Sequence, residues 1–368
     1  MTRVPIFGPD DSSPSDDKKE NSNDLSPAMG MRNVYTASEE DILLRPTQLS
    51  EMVGQREVYA RIEIAVQAAQ KRREPLGHIL FDGPPGLGKT TFATCIPKAL
   101  GVSFQIGNGA TLRAPKDIVP YLTNAEEGSV LFIDEIHRMQ KTVEEFLYPA
   151  MEDFRIDMTI GEGVNARTIN IPLKPFTLIG ATTRTGLISA PLRDRFLMRE
   201  HLDFYSMEEL AEIIRNNARK LRVEMDEEAA DEIAVRSRGT PRIANNRLRW
   251  VRDYADTKAG GRITREVACD ALEMQGIDSL GLDTQDRKYL ETILRVFKGG
   301  PVGVESVAHT MSVSPDTIID EVEPFLLRSE LLIRTPRGRK ITVRALRHLG
   351  IDPAHFEFRN PYGPTLFE

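Results

Sequence analysis

The segment Gly83-Pro84-Pro85-Gly86-Leu87-Gly88-Lys89-Thr90 constrains this chain more than any other, because it fills every position of G-x-x-x-x-G-K-[ST]. It follows an apolar run suited to a strand and precedes a run suited to a helix, the context a phosphate-binding loop requires. Glycines there let backbone N–H groups close around phosphate oxygens, and the helix N-terminus behind them adds partial positive charge. Lys89 is then placed to reach the β and γ phosphates, and the Thr90 hydroxyl to ligate magnesium. The bland alternative, a glycine-rich turn joining strand to helix, does not need every position filled. ATP with Mg2+ is the expected ligand.

Apolar runs at residues 78–81, 103–106, 130–133 and 177–179 alternate with helical stretches such as 58–72, which predicts an α/β fold with a parallel sheet flanked by helices. The third run ends in Asp134-Glu135, forty-five residues after Lys89. Asp134 is expected to hold magnesium, and Glu135 to orient and deprotonate the attacking water. Between the third and fourth runs, Ile156, Met158 and Ile160 alternate with polar residues, Gly161-Glu162-Gly163 intervenes, and Ile169 and Ile171 resume the alternation. That pattern predicts a β-hairpin with one apolar face, which either docks on another protein or folds back on its own domain.

Residues 206–274 carry helical periodicity and suggest an all-helical lid, followed by a glycine-bearing linker at 276–281. The third unit reads as a helix over 286–297, Gly299-Gly300-Pro301, two further helices to residue 328, and two short strands around Pro336-Arg337-Gly338. Helices followed by a basic hairpin outline a winged helix. Arg334, Arg337 and Arg339 flank its turn, where guanidinium groups would bind DNA phosphates in a salt-dependent, sequence-tolerant way.

The net charge of −7 argues against nucleic-acid binding only until its distribution is considered. Residues 1–42 hold nine acidic and four basic side chains, whereas 328–347 hold seven basic residues against Glu330 alone. The expected organisation is a disordered acidic tail (1–40), an ATPase domain (41–205), a helical lid (206–278), a winged helix (279–351) and a C-terminal tail (352–368). No run of eighteen apolar residues and no signal-peptide pattern occurs, so a cytoplasmic protein without a membrane span is expected. Cys95 and Cys269 stand far apart without CxxC company and are expected to be buried, reduced thiols.

The strings DEIHR (134–138), LYPAMED (147–153), GATTR (180–184), PLRDRF (191–196), RGTPRIAN (238–245), GGPVG (299–303) and RTPRGR (334–339) are similar, in order and spacing, to the RuvB family of AAA+ Holliday-junction branch-migration motors. The likeness runs from residue 44 to about 351. It implies that Gly86, Gly88, Lys89, Thr90 and Thr91 hold the phosphates, and that Thr182 and Thr183 stand beside the γ-phosphate as sensor 1, with Thr183 catalytic. A strand-end hydrogen bond is the ordinary alternative for either threonine. Arg195 matches the arginine finger that reaches the neighbouring subunit's nucleotide; a salt bridge to Asp194 is its structural alternative, and only the family match favours it over Arg193. Arg242 matches sensor 2, with Arg238 as competitor. Leu44, Arg45, Tyr205, Glu152, Asp153 and Phe154 match adenine-side contacts, although side chains of these apolar and aromatic types often serve as core.

The resemblance further implies a homo-oligomeric, six-membered ring acting on double-stranded and four-way-junction DNA, with the hairpin (156–171) contacting a RuvA-like junction-binding protein. Two departures stand out: Pro97 should kink the helix that starts at Lys89, and Asn246 and Trp250 replace basic residues of the family. Two rivals remain, a AAA+ protein remodeller and an inactive nucleotide-binding scaffold. The arginine-bearing wing speaks against the first, and the presence of Lys89, Asp134, Glu135 and Arg195 against the second.

Overall fold

The structure, a computed structural model, describes residues 39–160 and 167–356. The expected tail over 1–40 therefore lies outside the described residues but for its last two, as do the hairpin turn at Gly161-Glu162-Gly163 and all but the first few residues of the C-terminal tail.

A short helix α1 (Glu39–Leu44) and the long α2 (Arg56–Arg72) precede β1 (Ile79–Asp82), the P-loop and α3 (Lys89–Leu100). Then follow β2 (Phe104–Asn108), α4 (Pro115–Thr123), β3 (Val130–Asp134), α5 (Lys141–Glu152), the hairpin β4 (Arg155–Ile160) and β5 (Arg167–Pro172), β6 (Thr177–Thr182), α6 (Ala190–Asp194) and β7 (Met198–His201). Five of these strands pair in parallel in the order β2-β3-β6-β1-β7. Strands covered on both faces read as continuous apolar runs, and successive residues divide between the faces. Phe81 packs with Ile62, Phe92 and Phe132 on one side, whereas Leu80 packs with Leu131, Ile133 and Leu147 on the other.

The fifth strand was invisible to the hydrophobic pattern because Met198-Arg199-Glu200-His201 is largely charged. Its position at the sheet edge explains this: buried Glu200 is satisfied by Arg61, whose Nη2 lies 2.7 Å away. The expected kink at Pro97 is not seen as an interruption. Helix α3 runs through it and ends three residues later at Leu100, capped by Gly101 at φ +72°. Cys95 is buried as expected, but Cys269 is only half-buried, its sulfur 3.6 Å from Arg236 Nη2.

The lid consists of α7 (Met207–Lys220), α8 (Glu227–Val235), α9 (Pro241–Lys258) and α10 (Arg265–Met274), with a two-stranded pair β8 (Glu224–Met225) and β9 (Arg262–Ile263). Its core is continuous with the α2 and α3 side of the ATPase sheet. Trp250 is part of that packing and donates its indole N–H to Ala271 O at 2.7 Å. The third unit has its own core around Tyr289 and comprises α11 (Thr284–Arg295), α12 (Val304–Met311), α13 (Pro315–Thr317), a wide turn of π type (Ile318–Val322), α14 (Glu323–Arg328), the wing strands β10 (Leu332–Thr335) and β11 (Gly338–Ile341), and α15 (Val343–His348).

Lid arginines grip the linker between these units. Arg238 pairs with Asp283 and Asp286 and donates Nε to Gly281 O, and Arg247 donates to the same carbonyl. Gly281 is required there: at φ +86° a Cβ would stand 2.5 Å from Arg236 O. The third unit also reaches the ATPase domain directly, through Asp316 and Asp320 to Arg184.

Candidate nucleotide and DNA sites

The P-loop joins the C-terminal end of β1 to the N-terminus of α3, and Gly83, Gly86 and Gly88 take φ values of +135°, +81° and +103°. A Cβ on Gly83 would lie 2.4 Å from Leu202 O, so only glycine permits this close approach. Lys89 is 7% exposed and its Nζ donates to Gly83 O (2.7 Å) and Pro84 O (2.8 Å). Burial pushes its ammonium down to about 8, opposed by the nearby Glu135, Asp134 and Asp82 carboxylates. Thr90 and Thr91 follow in the first turn of α3.

Strand β3 delivers Asp134 and Glu135 to the same edge of the sheet. Glu135 takes φ +48° and donates its N–H to Asp134 Oδ1 at 3.0 Å. Its carboxyl is held above the ordinary glutamate value, first by burial and then by Asp134. The Thr183 hydroxyl lies 3.4 Å from Glu135 Oε2, which places the residue after β6 against the expected base. His137, quoted in DEIHR without a role, is brought into this group: its Nδ1 is 3.2 Å from Glu135 Oε2 and 2.9 Å from Thr182 Oγ1. The signal was its place on the one-turn helix Ile136–Arg138, which returns its side chain to the strand ends.

The lid closes the other side. Tyr205 donates its hydroxyl to Leu87 O at 3.2 Å, and Arg242, in the first turn of α9, has its side chain against Gly86 and its N–H 3.4 Å from Gly86 O. Arg238 is instead consumed by the linker contacts, so of the two competitors the structure brings Arg242 to the P-loop. Leu44 is buried and Arg45 exposed. They adjoin Pro46, whose carbonyl meets the Cys95 sulfur of α3 at 3.5 Å.

Glu152, Asp153, Phe154 and Arg195 form a separate group. Arg195 pairs with Glu152 at 3.1 Å and lies over the Tyr148 ring at 4.1 Å, so its salt-bridge partner is not the expected Asp194, which instead pairs with Arg199. Phe154 packs edge-on against Phe176. His78 fixes where this group sits: at the entrance to β1, its Nε2 meets Met151 O and its carbonyl accepts from Met198 N–H. The P-loop begins at the other end of β1, roughly 13 Å along the strand. Glu152 and Arg195 therefore do not join Lys89 within one subunit.

In the wing, Arg334 and Arg339 face each other across the β10–β11 ladder and both bind Glu323, a fully buried carboxylate. Tyr289 donates its hydroxyl to the same group at 2.7 Å. The three wing arginines are presented unequally: the Arg334 side chain is 48% exposed, that of Arg339 only 18%, and Arg337 is at the exposed turn. Two guanidiniums on one carboxylate leave one net positive charge, oriented by a rigid anchor. The arginine and tyrosine contacts hold Glu323 below its ordinary value against the opposing effect of burial. Its stabilising contribution is therefore present above the unfolded glutamate value and is lost as pH falls through the depressed one. Glu323→Ala is expected to cost the third unit about 1–3 kcal/mol, read by denaturant unfolding, because it leaves the Tyr289 hydroxyl and the Arg339 guanidinium short of an acceptor while the half-exposed Arg334 can turn to water.

The base of the hairpin takes one of its two expected courses. Ile156 is fully buried in the ATPase core with Met158 and Ile171 packed around it, so the base folds back on its own domain. Farther out on the same face, Ile169 is 45% exposed.

The chain matches three family models in succession: the Holliday junction DNA helicase RuvB P-loop domain over residues 44–202, the RuvB AAA lid domain over 205–278 and the RuvB C-terminal winged helix domain over 279–350. It is 58% identical over 351 residues to the Holliday junction branch migration complex subunit RuvB of Rhodopirellula baltica, covering 95% of this chain and 96% of that one. Among solved structures it is similar to the Thermotoga maritima RuvB Holliday junction branch migration motor, with 44% identity, TM-score 0.77, and 84% and 99% of the two chains covered. A point variant of the same Thermotoga protein aligns at 45% identity and TM-score 0.78 over the same shares.

Proposed function

This chain belongs to the RuvB family of Holliday-junction branch-migration motors, and on that premise we propose how its own residues carry out ATP-driven movement of junction DNA. The chain is a P-loop ATPase that binds nucleotide and drives branch migration. The observation that carries the site assignment is the convergence of Lys89, Glu135, Thr183 and Arg242 on one P-loop. Lys89 draws the phosphates into the loop, Glu135 takes the proton of the attacking water, Thr183 registers the γ-phosphate, and Arg242 links the lid to the loop. Leu44, Arg45 and Tyr205 border the nucleotide from the α3 and lid side.

The Thr90 hydroxyl and Asp134 carboxylate offer hard oxygen donors beside the P-loop, a set that suits Mg2+, which keeps most of its water shell. Bound there, the ion would neutralise phosphate charge. Glu152, Asp153, Phe154 and Arg195 serve the nucleotide of an adjacent subunit, so the working form is a ring, with six members on the family pattern. The wing, through Arg334, Arg337 and Arg339, engages duplex and four-way-junction DNA, and the outer part of hairpin 156–171 meets a RuvA-like partner. No described helix is long and apolar enough to cross a membrane; a cytoplasmic location is proposed from the activity.

The test is steady-state ATPase rate with and without duplex or four-way-junction DNA at two salt concentrations, for wild type and Arg337→Ala. Salt-sensitive stimulation by DNA that weakens in the variant is the expected result. A wild-type rate indifferent to DNA, with or without a RuvA-like partner, would return the protein-remodelling alternative.

A further inference from the structure

We propose that His137 is a positioning residue for hydrolysis: held through Nδ1 at Thr182 Oγ1, its ring stands against Glu135 Oε2 and fixes the direction in which the Glu135 carboxylate faces the attacking water. The inference rests on the assignment of Glu135 as general base.

Three contacts carry it. His137 Nδ1 stands 3.2 Å from Glu135 Oε2 and 2.9 Å from Thr182 Oγ1, with its side chain 8% exposed. The Thr183 hydroxyl reaches the same Glu135 oxygen at 3.4 Å. The Thr182 hydroxyl is itself anchored, since Arg184 donates its backbone N–H to Thr182 Oγ1 at 2.9 Å.

The tautomer follows from charge. With Glu135 ionised, as a base must be, an unprotonated Nδ1 would set its lone pair against a carboxylate oxygen. Nδ1 therefore carries the proton and donates. Burial, with Arg184 and Arg138 nearby, lowers the affinity of the ring for a second proton, so the neutral imidazole does the holding. Oε2 thereby lies between the Thr183 hydroxyl, which donates to it, and the His137 ring beside it, and Oε1 is left to face the water. The His137 ring meets Glu135 and Thr182, so its loss should slow the chemical step without weakening binding.

Thr182 is wholly buried and Arg184 is clamped by Asp316 and Asp320 of the third unit. The Glu135 carboxylate is thus referred to a rigid frame. A displacement of about 1 Å at a reacting group is enough to cost on the order of 100-fold in rate.

The experiment measures kcat, KM for ATP and thermal melting for wild type, His137→Ala, His137→Asn, Thr182→Val, the His137→Ala/Thr182→Val double variant and Glu135→Gln. His137→Ala and Thr182→Val should each lower kcat roughly 10- to 100-fold with KM unchanged. The double variant should be no worse than the more damaging single one, because both remove the same link. His137→Asn, whose amide N–H replaces Nδ1–H, should recover much of the loss. A wild-type kcat in His137→Ala, fully additive losses, or a loss tracked by raised KM and lowered melting would overturn the proposal. Turnover surviving in Glu135→Gln would instead overturn the general-base assignment, so the two failures are distinguishable.

Discussion

Glu135→Gln is expected to bind ATP as tightly as wild type and to lose turnover by roughly 10²- to 10⁴-fold, the usual contribution of a positioned general base. The substitution keeps the size of the side chain and its contacts with His137 and Thr183, and removes only the capacity to accept a proton. Nucleotide binding depends on the glycines of the loop, Lys89 and the α3 N-terminus, none of which Glu135 supports sterically. Titration with a fluorescent ATP analogue alongside a phosphate-release assay separates the two properties. Binding and hydrolysis falling together would mean that Glu135 shapes the pocket instead of acting on water.

The same residue sets an acid limit. Burial and Asp134 hold the Glu135 carboxyl above its ordinary value of about 4.3. Its ionised form is therefore depleted as pH falls through that raised value, and wild-type kcat should decline at a pH where an ordinary surface glutamate is still charged. Glu135→Gln removes the titrating group, so its residual rate should lack this limb.

Most of the ATPase core was legible because its determinants are local. The P-loop places its glycines, Lys89 and Thr90 within one loop, and strands buried on both faces announce themselves as apolar runs. The edge strand Met198–His201 was not legible, since its polar residues are satisfied by a partner, Arg61, from a distant helix. Similarly, RGTPR offers two arginines of equal promise in sequence. Helix α9 starting at Pro241 decides between them: Arg242 falls in its first turn beside Gly86, whereas Arg238 precedes it at φ +55° and turns to the linker carboxylates. Glu323 carries no mark at all in the sequence, yet it governs how two of the three wing arginines are presented. Long-range pairing of charged groups is the common element in what composition and periodicity leave out.

Arg195→Ala tests the largest consequence of that long-range geometry. Arg195 stands near the start of β7, next to the entrance of β1, and the P-loop at its exit. A guanidinium so placed has no path to its own subunit's γ-phosphate, but its pairing with Glu152 and stacking on Tyr148 hold it ready at the surface of α5. If it completes a neighbour's site, Arg195→Ala should lower kcat by about 10³- to 10⁵-fold, the range for arginine fingers. Lys89→Ala should be inactive for the unrelated reason that its own loop no longer captures phosphate, while its Arg195 stays intact. Mixing the two inactive proteins then gives some interfaces with a working loop from one subunit and a working arginine from the other. Recovered ATPase activity in the mixture, rising with total protein concentration as rings form, is the expected outcome. A mixture no more active than its components would place the function of Arg195 within its own subunit, as a brace for α5 against α6.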